Sequence, residues 1–234
     1  MMPRFIALVP AAGSGSRMRA DCPKQYLLLH GKPVLWHSLK ALHAEPRISH
    51  IVLVLTEGDP WFARFDWSDL PRLQVLYCGG ASRAETVRNG LADIASNTPD
   101  DPWILVHDAA RPCLSRADLT HLIDQLHADA VGGLLAVPVP ETVKRATPDA
   151  HVAQTVPRQD LWLAQTPQMF RLRRLLAAHQ GALDTITDEA SAMERQGDSP
   201  RLITGSRNNL KITYPEDLAL AALLLPASDP QHCS

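Results

Sequence analysis

Hydrophobic positions along the chain fall into short continuous runs, each bounded by residues that favour turns. Runs of this kind, rich in β-branched residues, are typical of strands that are buried on both faces of a parallel sheet. We predict six strands, at Phe5–Val9, His50–Leu55, Leu73–Tyr77, Trp103–His107, Leu134–Val139 and Leu210–Thr213.

The segments between these runs follow a helical period instead. Apolar residues recur three or four positions apart, which gives a helix one apolar stripe that packs on a sheet. The stripes are Leu35/Leu39/Leu42, Val87/Leu91/Ile94 and Leu119/Leu122/Ile123/Leu126. Alternating strands and helices predict an α/β fold, with a Rossmann-like doubly wound, mainly parallel sheet flanked by helices.

Polar residues mark where several helices begin. Ser115 with Asp118 three positions later is typical of a helix N-cap, and Thr187 before two acids predicts another. Thr213, Pro215 and Glu216 open a last helix that runs through Leu225. We expect a single domain over residues 1–226 and a flexible C-terminal tail over 227–234.

The stretch Glu141–Pro157 breaks this rhythm. It is rich in Thr, Val and charge, lacks a helical stripe and carries Pro148-Asp149-Ala150, a type I turn signal, at its centre. The pattern predicts a β-hairpin arm, at about 141–157, that projects from the sheet. Because an exposed pair of strands is marginal by itself, a partner subunit that covers the arm is one hypothesis. A surface hairpin without function is the other.

Composition limits the partners. The 234 residues include 23 Lys and Arg against 25 Asp and Glu, a net charge of −2, so no global basic field favours nucleic acid or an anionic membrane. No apolar run is long enough for a membrane helix, and Phe5–Val9 is too short for a signal peptide. The four cysteines are widely separated, which fits a reducing compartment. We therefore expect a cytoplasmic protein whose anion sites are local.

A glycine-containing loop, Pro10–Met18, follows the first predicted strand. Small residues there let backbone N–H groups approach a phosphate closely. The loop is not a dinucleotide fingerprint, because Met18 stands where the third glycine would fall, and it does not follow the Walker spacing. Cations follow it at Arg17, Arg19 and Lys24. Together these features predict a phosphate cradle, although a plain tight turn has a similar pattern.

Two further segments end predicted strands. Asp108 lies just past the carboxyl end of a strand, where it can hold a divalent cation against phosphate oxygens. An alternative is that Asp108 caps a turn and pairs with Arg111, and we interpret His107 as a core histidine. Gly79–Arg83 forms a second turn of small residues before a helix.

Five segments carry a resemblance to a known family, and they occur in order with matching gaps. They are Pro10–Met18, Cys22–Tyr26, His107–Pro112, Thr187–Ala190 and Asn209–Thr213. Together they resemble the 2-C-methyl-D-erythritol 4-phosphate cytidylyltransferases of the non-mevalonate isoprenoid pathway, over nearly the whole chain. The resemblance implies transfer of CMP from CTP to methylerythritol phosphate, with release of pyrophosphate, a Mg²⁺ cofactor and a homodimer.

The resemblance also implies roles for particular residues. The catalytic residues are Arg17, Lys24, Arg158 and Lys211. The CTP-binding residues are Ala11, Ala12, Gly13, Ser14, Gly15, Arg17, Lys24, Gly80, Arg83, Thr86, Asp108 and Ala109. The acceptor-binding residues are Arg111, Thr142, Arg158, Thr187, Asn208 and Lys211, and Asp108 holds the metal. Two positions depart from the common pattern: Thr86 stands where many relatives have Ser, and Asn208 where some have Asp.

In the family the arm swaps between subunits, so that Arg158 of one subunit reaches the active site of the other. Two alternatives stay open. One alternative is an enzyme of the same class whose acceptor is a different polyol phosphate, such as ribitol 5-phosphate. The other is a nucleotide-binding regulator without catalysis. A regulator would be expected to lose Arg17 or Lys24, and both are present.

Overall fold

The structure is a computed structural model and describes residues 4–13 and 22–225. The strands in these residues are β1 (Phe5–Pro10), β2 (Leu28–Leu29), β3 (Lys32–Pro33), β4 (Ile48–Val54), β5 (Leu73–Leu76), β6 (Trp103–Val106), β7 (Gly132–Pro138), β8 (Val143–Ala146), β9 (Val152–Val156), β10 (Trp162–Arg171) and β11 (Arg201–Thr204). The α-helices are α1 (Val34–His43), α2 (Arg83–Asn97), α3 (Arg116–Leu126), α4 (Leu172–Ala178), α5 (Glu189–Glu194) and α6 (Pro215–Leu224).

Seven of these strands form one central sheet, in the order β11-β7-β10-β6-β1-β4-β5. Strand β10 runs antiparallel to both of its neighbours, and the other paired strands of the sheet are parallel. The predicted α/β fold with a mainly parallel sheet is therefore confirmed.

Alternate residues of the central strands supply two separate cores. In β1, Ala7 and Val9 pack in a cluster with the leucines of α1 and α3. Ile6 and Leu8 point to the opposite face, where α2, α4 and α5 pack. This alternation follows from the two-residue repeat of a strand and explains why the predicted strands are apolar throughout. All three predicted helical stripes face these cores.

Five of the six predicted strands are present, with ends that shift by one or two residues. The prediction at Leu210–Thr213 is wrong, because this segment is a loop. Ile212 is buried and its N–H donates to the carbonyl of Ala110 at 2.9 Å, so its apolar side chain anchors the loop rather than a strand. The structure instead completes the sheet with β11 and with the antiparallel strand β10, neither of which was predicted.

The predicted helix starts have mixed outcomes. Ser115 caps α3 as expected, since its Oγ accepts from the N–H of Asp118 at 3.0 Å. The N-cap of α5 is Asp188 rather than Thr187, and that of α6 is Tyr214 rather than Thr213. Asp188 accepts from the N–H of Ser191 at 2.9 Å, whereas at α6 the carboxylate of Asp217 accepts from the N–H groups of Thr213 and Tyr214, both at 2.8 Å. No helix in the described ranges is long and apolar enough to cross a membrane.

The predicted hairpin is present as β8 and β9, which pair only with each other. The turn between them is closed by the N–H of Ala150, which donates to the carbonyl of Thr147 at 3.0 Å. Ala150 has a positive φ of 63°, which glycine or asparagine adopts more readily. Nearly every residue of the two strands is exposed. The division into one domain and a tail stays a prediction, and residues 227–234 lie outside the described residues.

Candidate active site

A cavity of about 800 Å³ opens at the carboxyl edge of the parallel strands. Its walls come from the segments that follow β1, β5 and β6, together with Lys24 and Lys211. This is the edge where open α/β sheets bind their ligands, because the loops after neighbouring strands converge there.

The first wall is the backbone segment after β1. The N–H of Ala11 donates to the carbonyl of Val54 at 2.8 Å, which continues the sheet register by one residue. The buried side chain of Gln25 donates from Nε2 to the carbonyls of Ala11 at 2.9 Å and Gly13 at 3.1 Å. Thr56 donates to the carbonyl of Ala12 at 3.0 Å. Three successive carbonyls therefore have fixed partners behind the wall.

The second wall is the turn after β5. A Cβ atom added to Gly79 would overlap Cβ of Ala12 and would lie 2.9 Å from the carbonyl oxygen of Leu55, so the two backbone walls touch at this glycine. The buried Thr86 accepts from the N–H of Gly80 at 3.1 Å and donates to the carbonyl of Ser82 at 2.9 Å. The Thr86 hydroxyl therefore holds the shape of the turn.

Asp108 lies just past the end of β6 and is only 7% exposed. Its Oδ1 accepts from Nε of Arg83 at 3.1 Å, and its Oδ2 lies 2.8 Å from Nζ of Lys211 and 3.5 Å from Nε of Arg111. Burial alone would raise the pKa of Asp108, but the charges of Arg83, Lys211 and Arg111 outweigh it and hold that pKa well below its usual range. Asp108 is therefore a carboxylate at any physiological pH.

His107 stands behind this carboxylate and is fully buried. Its Nδ1 lies 3.1 Å from Oγ1 of Thr166, and its Nε2 lies 3.1 Å from the carbonyl of Arg111. Burial lowers its pKa to about 4, against partial compensation from Asp108. The interpretation of His107 as a core histidine is confirmed.

A buried glutamate joins the same network. Glu189, in the first turn of α5, is 0% exposed, and its two oxygens accept from Nη1 of Arg83 at 2.7 Å and from Nη2 at 3.1 Å. Arg83 thus binds two carboxylates, one on each side. Three cations against two carboxylates leave this cluster with one net positive charge, which suits an anionic ligand.

A smaller cavity of about 200 Å³ adjoins the first. Arg83, Asp108 and Lys211 line both cavities, so this trio forms the boundary between them. The remaining lining of the smaller cavity is mostly polar. It comes from the segment after β6, from β10 and from the segment before α5, namely Arg111, Ala164, Gln165, Thr166, Gln168, Thr187 and Asp188.

The structure brings most of the predicted site residues together. Ala11, Ala12, Gly13, Lys24, Gly80, Arg83, Thr86, Asp108, Ala109 and Lys211 line the larger cavity. Arg111 and Thr187 line the smaller one. Thr142, Arg158 and Asn208 are exposed and line neither cavity. Arg158 lies at the base of the arm, where it donates to the carbonyl of Pro140. Ser14, Gly15 and Arg17 lie outside the described residues.

Sequence reasoning missed two residues that hold the site. Gln25 stands in the Cys22–Tyr26 segment beside Lys24, and its position in that segment was a usable signal. Glu189 stands in the Thr187–Ala190 segment, where it was interpreted only as a first-turn acid. A buried partner for Arg83 cannot be found from spacing, because the two residues are far apart in the chain.

The residues of the larger cavity suit a divalent cation that is shared with substrate phosphates. Asp108 is the one acidic side chain among the described residues that line the larger cavity, and no cluster of three metal-ligating side chains occurs in those residues. This fits a Mg²⁺ ion, which proteins commonly hold through one or two carboxylates together with substrate phosphates and water. It does not fit a closed protein cage.

The fold and the site define a class: an α/β nucleotidyltransferase, in which backbone turns and cations gather anions. Comparison with known proteins agrees. The family model for 2-C-methyl-D-erythritol 4-phosphate cytidylyltransferase matches residues 5–227. A protein of that name from Chromobacterium violaceum is 58% identical over 226 residues, covering 96% of this chain and 99% of its own.

Two solved structures are similar as well. One, of a 4-diphosphocytidyl-2C-methyl-D-erythritol synthase, has a TM-score of 0.84 and 42% identity and covers 97% of this chain and 100% of its own. Another, from Francisella tularensis, has a TM-score of 0.79 and 34% identity, with coverage of 95% and 100%. The chain belongs to the 2-C-methyl-D-erythritol 4-phosphate cytidylyltransferase family and is a nucleotidyltransferase.

Proposed function

We propose that the larger cavity binds CTP, that the smaller cavity binds 2-C-methyl-D-erythritol 4-phosphate, and that the chain joins them with release of pyrophosphate. The observation that carries this proposal is the shared boundary of Arg83, Asp108 and Lys211, which would hold the two substrates' phosphates side by side. The family membership supplies the identity of both substrates.

The chemistry needs positioning and positive charge more than proton transfer. A phosphate monoester is largely ionised at pH 7, so its oxygen attacks the α-phosphorus of CTP without a general base, and pyrophosphate leaves in line. In the proposed mechanism Lys24 and Lys211, which both line the larger cavity, stabilise the charge that builds up on the phosphorus oxygens. Arg111 and Thr187 orient the acceptor.

Lys24 and Lys211 belong to adjoining segments. Nζ of Lys24 donates to the carbonyl of Ile212 at 2.7 Å, one residue after Lys211. The contact ties the segment that follows the glycine loop to the loop that anchors at Ala110. Both ammonium groups are therefore placed on the same side of the cavity, where a triphosphate would lie between them and the backbone walls.

Asp108 is the residue proposed to hold Mg²⁺. The ion, when bound, neutralises phosphate charge and polarises the phosphoryl oxygens. In the structure both oxygens of Asp108 contact cations, at 3.1 Å to Arg83 and 2.8 Å to Lys211. We therefore expect the Lys211 side chain to transfer from Asp108 to a substrate phosphate when the substrates and the cation bind.

An assay of pyrophosphate release tests the proposed reaction. With CTP and Mg²⁺ we expect release only after methylerythritol phosphate is added. Equal activity with ATP would contradict the nucleotide assignment. Direct competition between methylerythritol phosphate and ribitol 5-phosphate decides the acceptor, and a preference for ribitol 5-phosphate would replace the acceptor named here.

We also propose that the arm of β8 and β9 serves a homodimer, with Arg158 and Thr142 completing the partner's site. Both residues are exposed at the base of the arm and lie outside the two cavities of their own chain. Mixing Arg158→Ala subunits with Lys24→Ala subunits should restore part of the activity, because one site in each heterodimer is intact. Verified heterodimers without recovery would show that each site is built from one chain.

A further inference from the structure

The carboxylate of Glu189 is buried, and both of its oxygens accept hydrogen bonds from Arg83. The residue is 0% exposed, and the two oxygens accept from Nη1 and Nη2 at 2.7 and 3.1 Å. A buried carboxylate is strongly unfavourable unless it is paired and hydrogen-bonded. A two-point contact of this kind also fixes the plane of the guanidinium group, because the fork of donors matches the two oxygens. Glu189 therefore determines the direction in which Arg83 points.

The remaining edge of Arg83 determines the direction of Asp108. Its Nε donates to Oδ1 of Asp108 at 3.1 Å, while Nζ of Lys211 contacts Oδ2 at 2.8 Å from the other side. If Glu189 were neutral, the guanidinium group would be free to turn its paired donors to Asp108 as well. That rotation would draw the carboxylate away from the boundary between the cavities.

We propose that Glu189 is a positioning residue for phosphoryl transfer: through Arg83 it holds Asp108 in the orientation that serves both cavities. Glu189 itself lines neither cavity. The inference rests on the roles proposed above for Arg83 and Asp108. It adds a residue that acts two contacts away from the substrates, on the far side of the cavity wall.

A second buried glutamate provides a matched control. Glu45 is 2% exposed and makes a comparable two-point contact through a different edge of the guanidinium group: it accepts from Nε and Nη2 of Arg47 at 2.7 and 3.1 Å. Glu45 and Arg47 line neither cavity. Neutralising Glu45 therefore reproduces the loss of a buried ion pair without disturbing the site.

Glu189→Gln and Glu45→Gln should be compared in thermal unfolding and in steady-state kinetics. We expect both to lower the melting temperature. Only Glu189→Gln should also lower kcat, about 10- to 100-fold on the scale typical of residues that orient a site from behind, with KM for CTP within about threefold of wild type. A fall in KM with kcat unchanged would show that Glu189 acts only through its charge and would overturn the proposal. An unchanged kcat in folded Glu189→Gln would show that Glu189 has a purely structural role and would also overturn the proposal.

A double variant tests whether Glu189 acts through Arg83. We expect Arg83→Lys with Glu189→Gln to be no slower than Arg83→Lys alone, since coupled residues are not additive. Multiplicative losses would overturn the route through Arg83. Glu189→Asp covers the case in which the Gln variant fails to fold. It keeps the charge, but its side chain is one methylene shorter, so the two-point contact with Arg83 is stretched and kcat should fall in part. A wild-type kcat in this variant would contradict the proposal. Wild-type protein that releases no pyrophosphate from CTP and methylerythritol phosphate would instead overturn the proposed reaction.

Discussion

The two sides of the larger cavity are built in different ways. On one side, the backbone of Ala11–Gly13 and Gly80 lines the cavity, and the side chains of Gln25 and Thr86, which also line it, fix that backbone through hydrogen bonds. On the other side, charged side chains meet at Asp108, with Glu189 fixing them from behind. The backbone side acts through its shape and should determine the affinity for CTP. The charged side acts through electrostatics and should determine kcat. Substitutions on each side of the cavity separate these two contributions.

Lys24→Ala should have the largest effect, because an ammonium group that faces a developing charge acts on the transition state more than on the ground state. We expect kcat to fall about 10²–10³-fold, the usual scale for one preorganised electrostatic group, while the affinity for CTP stays within a few-fold. Stopped-flow or equilibrium binding of CTP beside steady-state kinetics measures both quantities.

The control for this prediction is Lys40→Ala. Lys40 is exposed, pairs with Asp69 at 3.2 Å on the surface and lines neither cavity. Its removal should leave kcat and stability nearly unchanged, since exposed ion pairs contribute little. Normal turnover in Lys24→Ala would show that Lys24 does not stabilise the transition state.

Lowering the pH should reduce the free energy of unfolding through His107, which lies behind Asp108 on the charged side of the cavity. Burial lowers the pKa of His107 to about 4, below the value of 6.5 expected for an exposed histidine. As pH falls, the unfolded chain takes up this proton first, so the stability contribution is complete above pH 6.5 and is lost between 6.5 and about 4. The difference corresponds to about 3 kcal/mol. Burial also lowers the pKa of His37 and His179, which act in the same direction.

Denaturant unfolding at several pH values measures this loss. His107→Gln cannot take up the proton, so we expect its stability to change less between pH 6.5 and 4 than that of the wild type. His121→Gln, at an exposed position of α3, should keep the wild-type slope. Glu45 affects stability at lower pH. The contact with Arg47 lowers the pKa of Glu45 to about 2, so the contribution of Glu45 to stability is lost only below pH 4.5. Equal slopes for wild type and His107→Gln would contradict the assignment.

The backbone side of the cavity was more predictable from sequence than the charged side. Small residues after a strand show directly in the sequence, so the segments of Ala11–Gly13 and Gly79–Gly80 were found from pattern alone. The segment Leu210–Thr213 has the apolar pattern of a strand but forms a loop, because apolar residues anchor loops and strands alike. Its true role is to bring Lys211 to Asp108, at 2.8 Å.

The partners that cross the chain were beyond pattern reasoning. Glu189 and Arg83 are 106 positions apart and meet only because the fold brings distant segments to one edge of the sheet. Sequence pattern therefore found the Ala11–Gly13 segment and Asp108, which line the larger cavity, whereas Lys211 is assigned only through the family resemblance. Pattern could not find Glu189, because packing rather than local periodicity places it behind Arg83.

Gly79→Ala should have the smallest effect of the three and should act on binding rather than rate. Its Cβ would overlap Cβ of Ala12 and would lie 2.9 Å from the carbonyl oxygen of Leu55, so the two backbone walls must separate. Overpacking of this kind costs about 1–3 kcal/mol. We expect KM for CTP to rise about 5- to 20-fold, equivalent to about 1–2 kcal/mol, with kcat nearly unchanged. Gly58→Ala is the matched control, because its positive φ of 70° makes alanine unfavourable there while its Cβ would meet no atom within 4 Å. The control should lose a similar amount of stability without a change in KM. If Gly79→Ala lowered kcat and left KM alone, the division between a binding side and a rate-determining side of the cavity would be wrong.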